Sequence, residues 1–280
     1  MSAYALALIL VAGFVHVIPH AAMKRASDRT AFIWAMLGAT CVFYAPVVLF
    51  SRAPSARGWM FITASAVVEV LYLYAVSRMY AHGDLAVAYP IARGSAPLFL
   101  LIPSIVLLHE RPAPAGIFGI VLIAIGVFFL GLTPPFRNIL FSVIAWPLVA
   151  GMLTATYTAI DRQGVRVVEP LLYIYLVLLA GFILYTPLTL RQSRWSAMRD
   201  VLANTPGRVI LAGVTMPLAY VLVLIAMRSG ALASYAGAVR EVSVLVAFCV
   251  GVMAFGEKVT PARVGGALAI LAGIIAIATV

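Results

Sequence analysis

Four ionisable residues stand deep inside long apolar runs: Glu69, Arg93, Arg240 and Glu241. Burying such a group in a membrane helix costs about 2.5–3.5 kcal/mol, so each needs a reason to be there. A guanidinium stays protonated and presents a planar fork of N–H donors, which suits the paired oxygens of a carboxylate, phosphate or phosphonate. Arg93 and Arg240 are each the ninth residue of their run, and together they can clamp one anionic group near mid-depth. Glu69 and Glu241 can hold an amine, or take up a proton where burial disfavours charge. The structural alternative pairs Arg93 with Glu69 and Arg240 with another acid, as ties between helices. Glu241 is a poor partner for Arg240, because adjacent helical residues point apart.

Aromatic and imidazole groups accompany these charges. Tyr89 lies one helical turn before Arg93 on the same face, and Tyr72 and Tyr235 share the runs of Glu69 and Arg240. Such rings suit an organic substrate; they are also common in membrane cores. His16 and His20 share a helix face, but a closed metal site needs more ligands than two. They are expected to form a polar helix contact or a proton relay, with no metal and no cofactor. Glu110 and Glu257 precede prolines at two helix starts, where a carboxylate meets the positive end of the helix dipole, so their expected role is structural. Cys41 and Cys249 read as small buried hydrophobes.

The elements that must carry these residues are membrane spans. Hydrophobic residues make up 64% of the 280 and charged residues 10%, with mean hydropathy +1.10; soluble domains carry about 25% charged residues. A helix needs about 20 apolar residues to cross the hydrocarbon core. Apolar runs predict ten spans, at 3–22, 31–50, 59–80, 85–108, 114–132, 138–160, 170–190, 207–227, 232–255 and 262–280. They are continuous, not alternating, which favours helices over a barrel. No basic n-region precedes the first run, so it is expected to remain as a helix. The net charge of +10 sits in short loops between runs, as anionic lipid surfaces select, and no nucleic-acid motif accompanies it.

The chain also repeats. Shifted by 147 residues, Gly83–Gly126 aligns with Gly230–Gly273 without a gap, and Arg93, Glu110 and Pro114 fall on Arg240, Glu257 and Pro261. Arg25 and Arg162 follow the first and sixth runs at a shorter offset, the difference being taken up by the loop from Arg191 to Pro206. The unit is therefore five helices, giving halves 1–133 and 134–280. An odd number of spans places the second half upside down relative to the first. Inverted repeats of this kind are a signature of transporters, with binding near the midplane at the repeat interface. Gly116, Gly119, Gly126, Gly265, Gly266 and Gly273 are expected to let helices pack closely.

The junctions His109-Glu110-Arg111-Pro112-Ala113-Pro114 and Gly256-Glu257-Lys258-Val259-Thr260-Pro261, with Tyr157-Thr158-Ala159-Ile160-Asp161-Arg162 closing the sixth span, give the chain a resemblance to EamA-type members of the drug/metabolite transporter superfamily. The resemblance implies a metabolite carrier with a central cavity lined by helices such as the third, fourth, eighth and ninth. It also implies a multi-pass protein of a bacterial inner membrane with a cytoplasmic N-terminus, whereas loop arginines and lysines place more positive charge on the other side. The expected partners are the lipid bilayer and a small anionic or zwitterionic substrate, such as an amino acid or aminophosphonate, with proton coupling and a monomer or homodimer. Two other classes stay open on sequence. A membrane enzyme acting on a lipid phosphate would need a convergent nucleophile and base, and a channel would need a polar pore stripe.

Overall fold

A computed structural model describes the chain except residues 25, 27, 83–84, 132–140, 193–194 and 256–258. Arg25, Gly83, Gly256, Glu257 and Lys258 thus lie outside the described residues, as does the side chain of His20. What is described is helical. The first half holds α1 (Ala3–Lys24), α2 (Arg29–Tyr44), α3 (Val47–Phe50), α4 (Ala56–His82), α5 (Leu85–Val106) and α6 (Pro114–Gly131). The second holds α7 (Phe141–Gly164), α8 (Pro170–Gln192), α9 (Trp195–Asn204), α10 (Pro206–Arg228), α11 (Ala233–Val239), α12 (Val242–Phe255) and α13 (Pro261–Ala278).

Local chemistry sets the ends. The Asp28 carboxylate accepts the Ala31 N–H at 3.0 Å and caps α2, and Thr260 caps α13 in the same way. Proline opens α6, α8, α10 and α13, where its missing N–H leaves no bond unmade. Pro46 interrupts the second span, splitting it into α2 and α3.

Among the described residues, nine segments are long and apolar enough to cross a membrane. The expected sixth span corresponds to α7, which is 24 residues long. It is more polar than most of the others, its C-terminal half carrying Thr154, Thr156, Tyr157, Thr158, Asp161 and Arg162. The loop after Arg191 also differs from expectation. It folds as α9, an amphipathic helix burying Met198 and Val201 while Trp195 and Arg199 face outward. Large apolar side chains cover the outside, with Phe50 88% and Met253 86% exposed. Water would not tolerate such a surface on a monomer; lipid would.

The tightest crossing joins α6 and α13. A Cβ on Gly119 would sit 2.7 Å from the Gly273 carbonyl oxygen, and one on Gly126 would sit 2.6 Å from that of Gly266. The reverse approaches, Gly273 to Gly119 and Gly266 to Gly126, are equally close. Earlier residues of one helix thus meet later residues of the other, so the two helices run antiparallel. Each glycine's partner is also the 147-residue image of the other glycine on its own helix. Other contacts exchange the same way: α1 packs on α10 as α7 packs on α4, and α1 meets α12 as α7 meets α5. Gly13 abuts the Ser243 nitrogen and Gly151 that of Ala96, residues again 147 apart.

This seam has no space for a methyl group. Gly126→Ala is expected to destabilise the protein by about 1–3 kcal/mol, the usual cost of overpacking, read as a lower unfolding temperature in detergent. A methyl on Gly181 would meet nothing within 4 Å, so Gly181→Ala should be the tolerated control. Equal melting of both variants would show that the seam can relax.

Candidate functional site

A pocket of about 150 Å³ lies between the helices. Its lining comes from α1, α2, α4, α5, α7, α8 and α10, together with Arg240. Of the residues expected from sequence, the pocket gathers Glu69, Arg93, Arg240, Tyr72, Tyr89 and His16. Glu241 lies just behind it and Tyr235 elsewhere.

Arg240 does not sit inside a continuous helix. The expected ninth span breaks at Arg240 and Glu241, between α11 and α12. Shorter-range bonds carry the backbone across: the Glu241 N–H donates to Ala238 O and the Ser243 N–H to Arg240 O. Irregular backbone at membrane depth persists where it is packed in protein or lines a cavity, and here Glu241 is fully buried. The break also separates the two charges. Arg93 Nε lies 3.0 Å from Glu241 Oε2, and an Arg93 terminal nitrogen donates to Ser243 Oγ at 3.0 Å. The alternative pairing of Arg93 with Glu69 is therefore corrected: Arg93 spans from α5 to the broken helix instead.

Arg240 is placed differently. Among the described residues no carboxylate lies within 4 Å of it, and its buried Nε has no acceptor. The expectation of an acidic partner for Arg240 thus fails, because the nearby Glu241 is turned to Arg93. Arg240 instead stacks over the Tyr220 ring, 5.7 Å from its centroid. Tyr220 meets Tyr157 edge-on at 6.1 Å, and Tyr157 meets Tyr72 edge-on at 5.8 Å. These rings make a tyrosine wall along the pocket.

Behind that wall lies Asp161, 1% exposed. Its carboxylate accepts hydrogen bonds from Ser65 Oγ at 2.5 Å, Tyr173 OH at 2.7 Å and Tyr220 OH at 2.6 Å. One acid thereby ties α4, α8 and α10 to α7.

A second buried acid organises the junction of the halves. The sequence places Glu110 at the start of the helix that follows it, α6. Its side chain reaches α11 instead, where it accepts the Ala233 N–H at 2.7 Å and that of Ser234 at 3.4 Å. His109, in the left-handed region at φ 54°, turns the chain at this point. Arg162 lies 3.5 Å from Glu110 and donates to Met227 O at 2.6 Å. Tyr235 belongs to the same junction: its hydroxyl accepts the Ala113 N–H at 2.8 Å, so it supports the fold and does not face the pocket.

The EamA-like transporter family matches this sequence twice, over residues 1–132 and 141–279. The chain belongs to that family. Among solved structures, a crystal structure matches with a TM-score of 0.74 at 16% identity, covering 99% of this chain and 96% of its own. At that identity the likeness concerns the fold alone. No curated protein matches the sequence. Membership identifies a multi-pass membrane transporter, in place of the lipid-phosphate enzyme left open by sequence.

The resemblance implied a cavity lined by helices such as the third, fourth, eighth and ninth; in this transporter the pocket's lining draws on α4, α5 and α10 with Arg240, and on α1, α2, α7 and α8 as well. Sequence reasoning missed Tyr157, Tyr220, Asp161 and Ser243. Asp161 carried a signal: it lies one turn beyond Tyr157 on the same face of α7. Tyr220 carried none, being one tyrosine in an apolar span.

Proposed function

We propose that this EamA-family transporter moves a zwitterionic metabolite, one bearing a carboxylate or phosphonate together with an amine, such as an amino acid or aminophosphonate. The observation that carries this reading is the pairing inside the pocket. Arg240 lines it without a carboxylate partner among the described residues, and Glu69 lines it without a cation within 4 Å among them. A ligand with both charges can satisfy the two groups together, whereas a bare organic cation meets Arg240 and a plain anion leaves Glu69 uncompensated. The tyrosine wall gives the substrate's carbon skeleton an apolar face with polar edges.

Movement occurs by alternating access between two inverted five-helix halves, 1–133 and 134–280, with α7 as the sixth of ten spans and the pocket as the central cavity. The antiparallel α6–α13 seam and the exchange of helix contacts support this arrangement. The membrane is a bacterial inner membrane. The test is a binding screen on purified protein with zwitterions, anions and organic cations. Preference for zwitterions supports the reading, and preference for a bare organic cation overturns it.

Glu69 is the proton-binding group of the cycle, because Glu241 is held by Arg93. Uptake into proteoliposomes should depend on pH or a proton gradient, and Glu69→Gln should flatten that dependence. A wild-type pH profile in both Glu69→Gln and Glu241→Gln would remove protons from the mechanism.

A further inference from the structure

We infer that Asp161 is a positioning residue for Arg240, acting through the phenol of Tyr220; the inference rests on Arg240 being the anion-binding group of the pocket. A guanidinium cannot lose its charge by deprotonation, and Arg240 is 5% exposed. It therefore needs a partner when the pocket is empty. A carboxylate in direct contact would occupy the N–H fork that an anionic substrate requires. The face of an aromatic ring attracts the cation without accepting those hydrogen bonds.

Tyr220 is that ring, and its position is fixed from both ends. The guanidinium carbon lies 5.7 Å from its centroid, while its hydroxyl donates to Asp161 Oδ2 at 2.6 Å. Donation to a carboxylate shifts electron density from the O–H bond into the ring and makes its face more negative toward Arg240. The opposite carboxylate oxygen is held by Ser65 and Tyr173, so Asp161 cannot turn away from Tyr220 easily. The acid's charge is thus delivered to the arginine across a ring, and the guanidinium fork stays open to substrate. Tyr173 shares Asp161 but does not lie under Arg240, which makes it the natural comparison.

The experiment is labelling of Arg240 by phenylglyoxal, a neutral dicarbonyl specific for arginine. It is followed by peptide mass spectrometry on the full-length transporter in nanodiscs, with no substrate present. Tyr220→Phe keeps the ring and removes the hydroxyl; Asp161→Asn removes the charge. Both should raise the Arg240 labelling rate on the order of fivefold, less than the full weight of a desolvated cation–π contact because the ring itself remains in both variants. Tyr173→Phe should leave it unchanged. An unchanged rate in Tyr220→Phe overturns the proposal, as does an equal rise in Tyr173→Phe, which would mean general loosening around Asp161. If Asp161→Asn does not fold, Tyr220→Phe decides alone. Failure of the substrate reading is seen separately, as undiminished zwitterion binding in Arg240→Gln.

Discussion

Arg240→Gln is expected to lower zwitterion affinity on the order of a hundredfold, while the protein inserts and folds as before. The size follows from the loss of a paired, charge-assisted hydrogen bond, about 3 kcal/mol. Folding should survive because Arg240 holds no acid among the described residues; its removal strands no buried carboxylate. Arg240→Lys should recover only part of the affinity, since an ammonium is a point charge without the planar fork. Arg93 offers the contrast. Its loss leaves Glu241 buried and uncompensated, so Arg93→Gln should weaken both binding and stability. Equilibrium binding alongside thermal unfolding separates the two cases. Wild-type affinity in Arg240→Gln would sink the assignment.

The largest loss of stability is expected at the junction. Glu110→Ala leaves Arg162 buried without its counter-charge and the Ala233 N–H without its acceptor. Breaking one partner of a buried pair typically costs about 3–5 kcal/mol, a large part of the roughly 5–15 kcal/mol that holds a typical domain together. Glu110→Gln keeps an oxygen for Ala233 and should lose less. Thermal unfolding in detergent measures both, and an alanine variant that melts with the wild type would show that the junction carries no such weight.

Much of the architecture was legible because lipid imposes simple rules. Apolar run length located the nine candidate spans found among the described residues, and Gly119, Gly126, Gly266 and Gly273, expected to allow close packing, form the α6–α13 seam, though which helices would meet was not foreseen. Depth in an apolar run singled out Glu69, Arg93 and Arg240, and all three line the pocket. Partner choice was not legible. Nothing in Val239-Arg240-Glu241-Val242 marks a helix break, since neither Gly nor Pro is present. The break reflects tertiary demands, with Gly13 of α1 pressed against Val242 and Arg93 drawing Glu241 away from Arg240. Glu110 looked like a local helix start because local sequence cannot reveal a bond to residues 233 and 234. Asp161 looked like a charge at a span's end until the hydroxyls of three other helices were seen to converge on it.

The interruption between α11 and α12 has a mechanical side. An unbroken helix is a stiff rod, and bending it in lipid means giving up backbone bonds that no water can replace. Two rods with a joint between them bend at the joint alone. Here the shorter rod, α11, is moored in its first turn by Glu110 and Tyr235. The longer rod, α12, ends among lipid-facing side chains such as Met253. A bend in this span would therefore fall at Arg240 and Glu241, where the helical bonding is already interrupted, and would leave the moored segment in place.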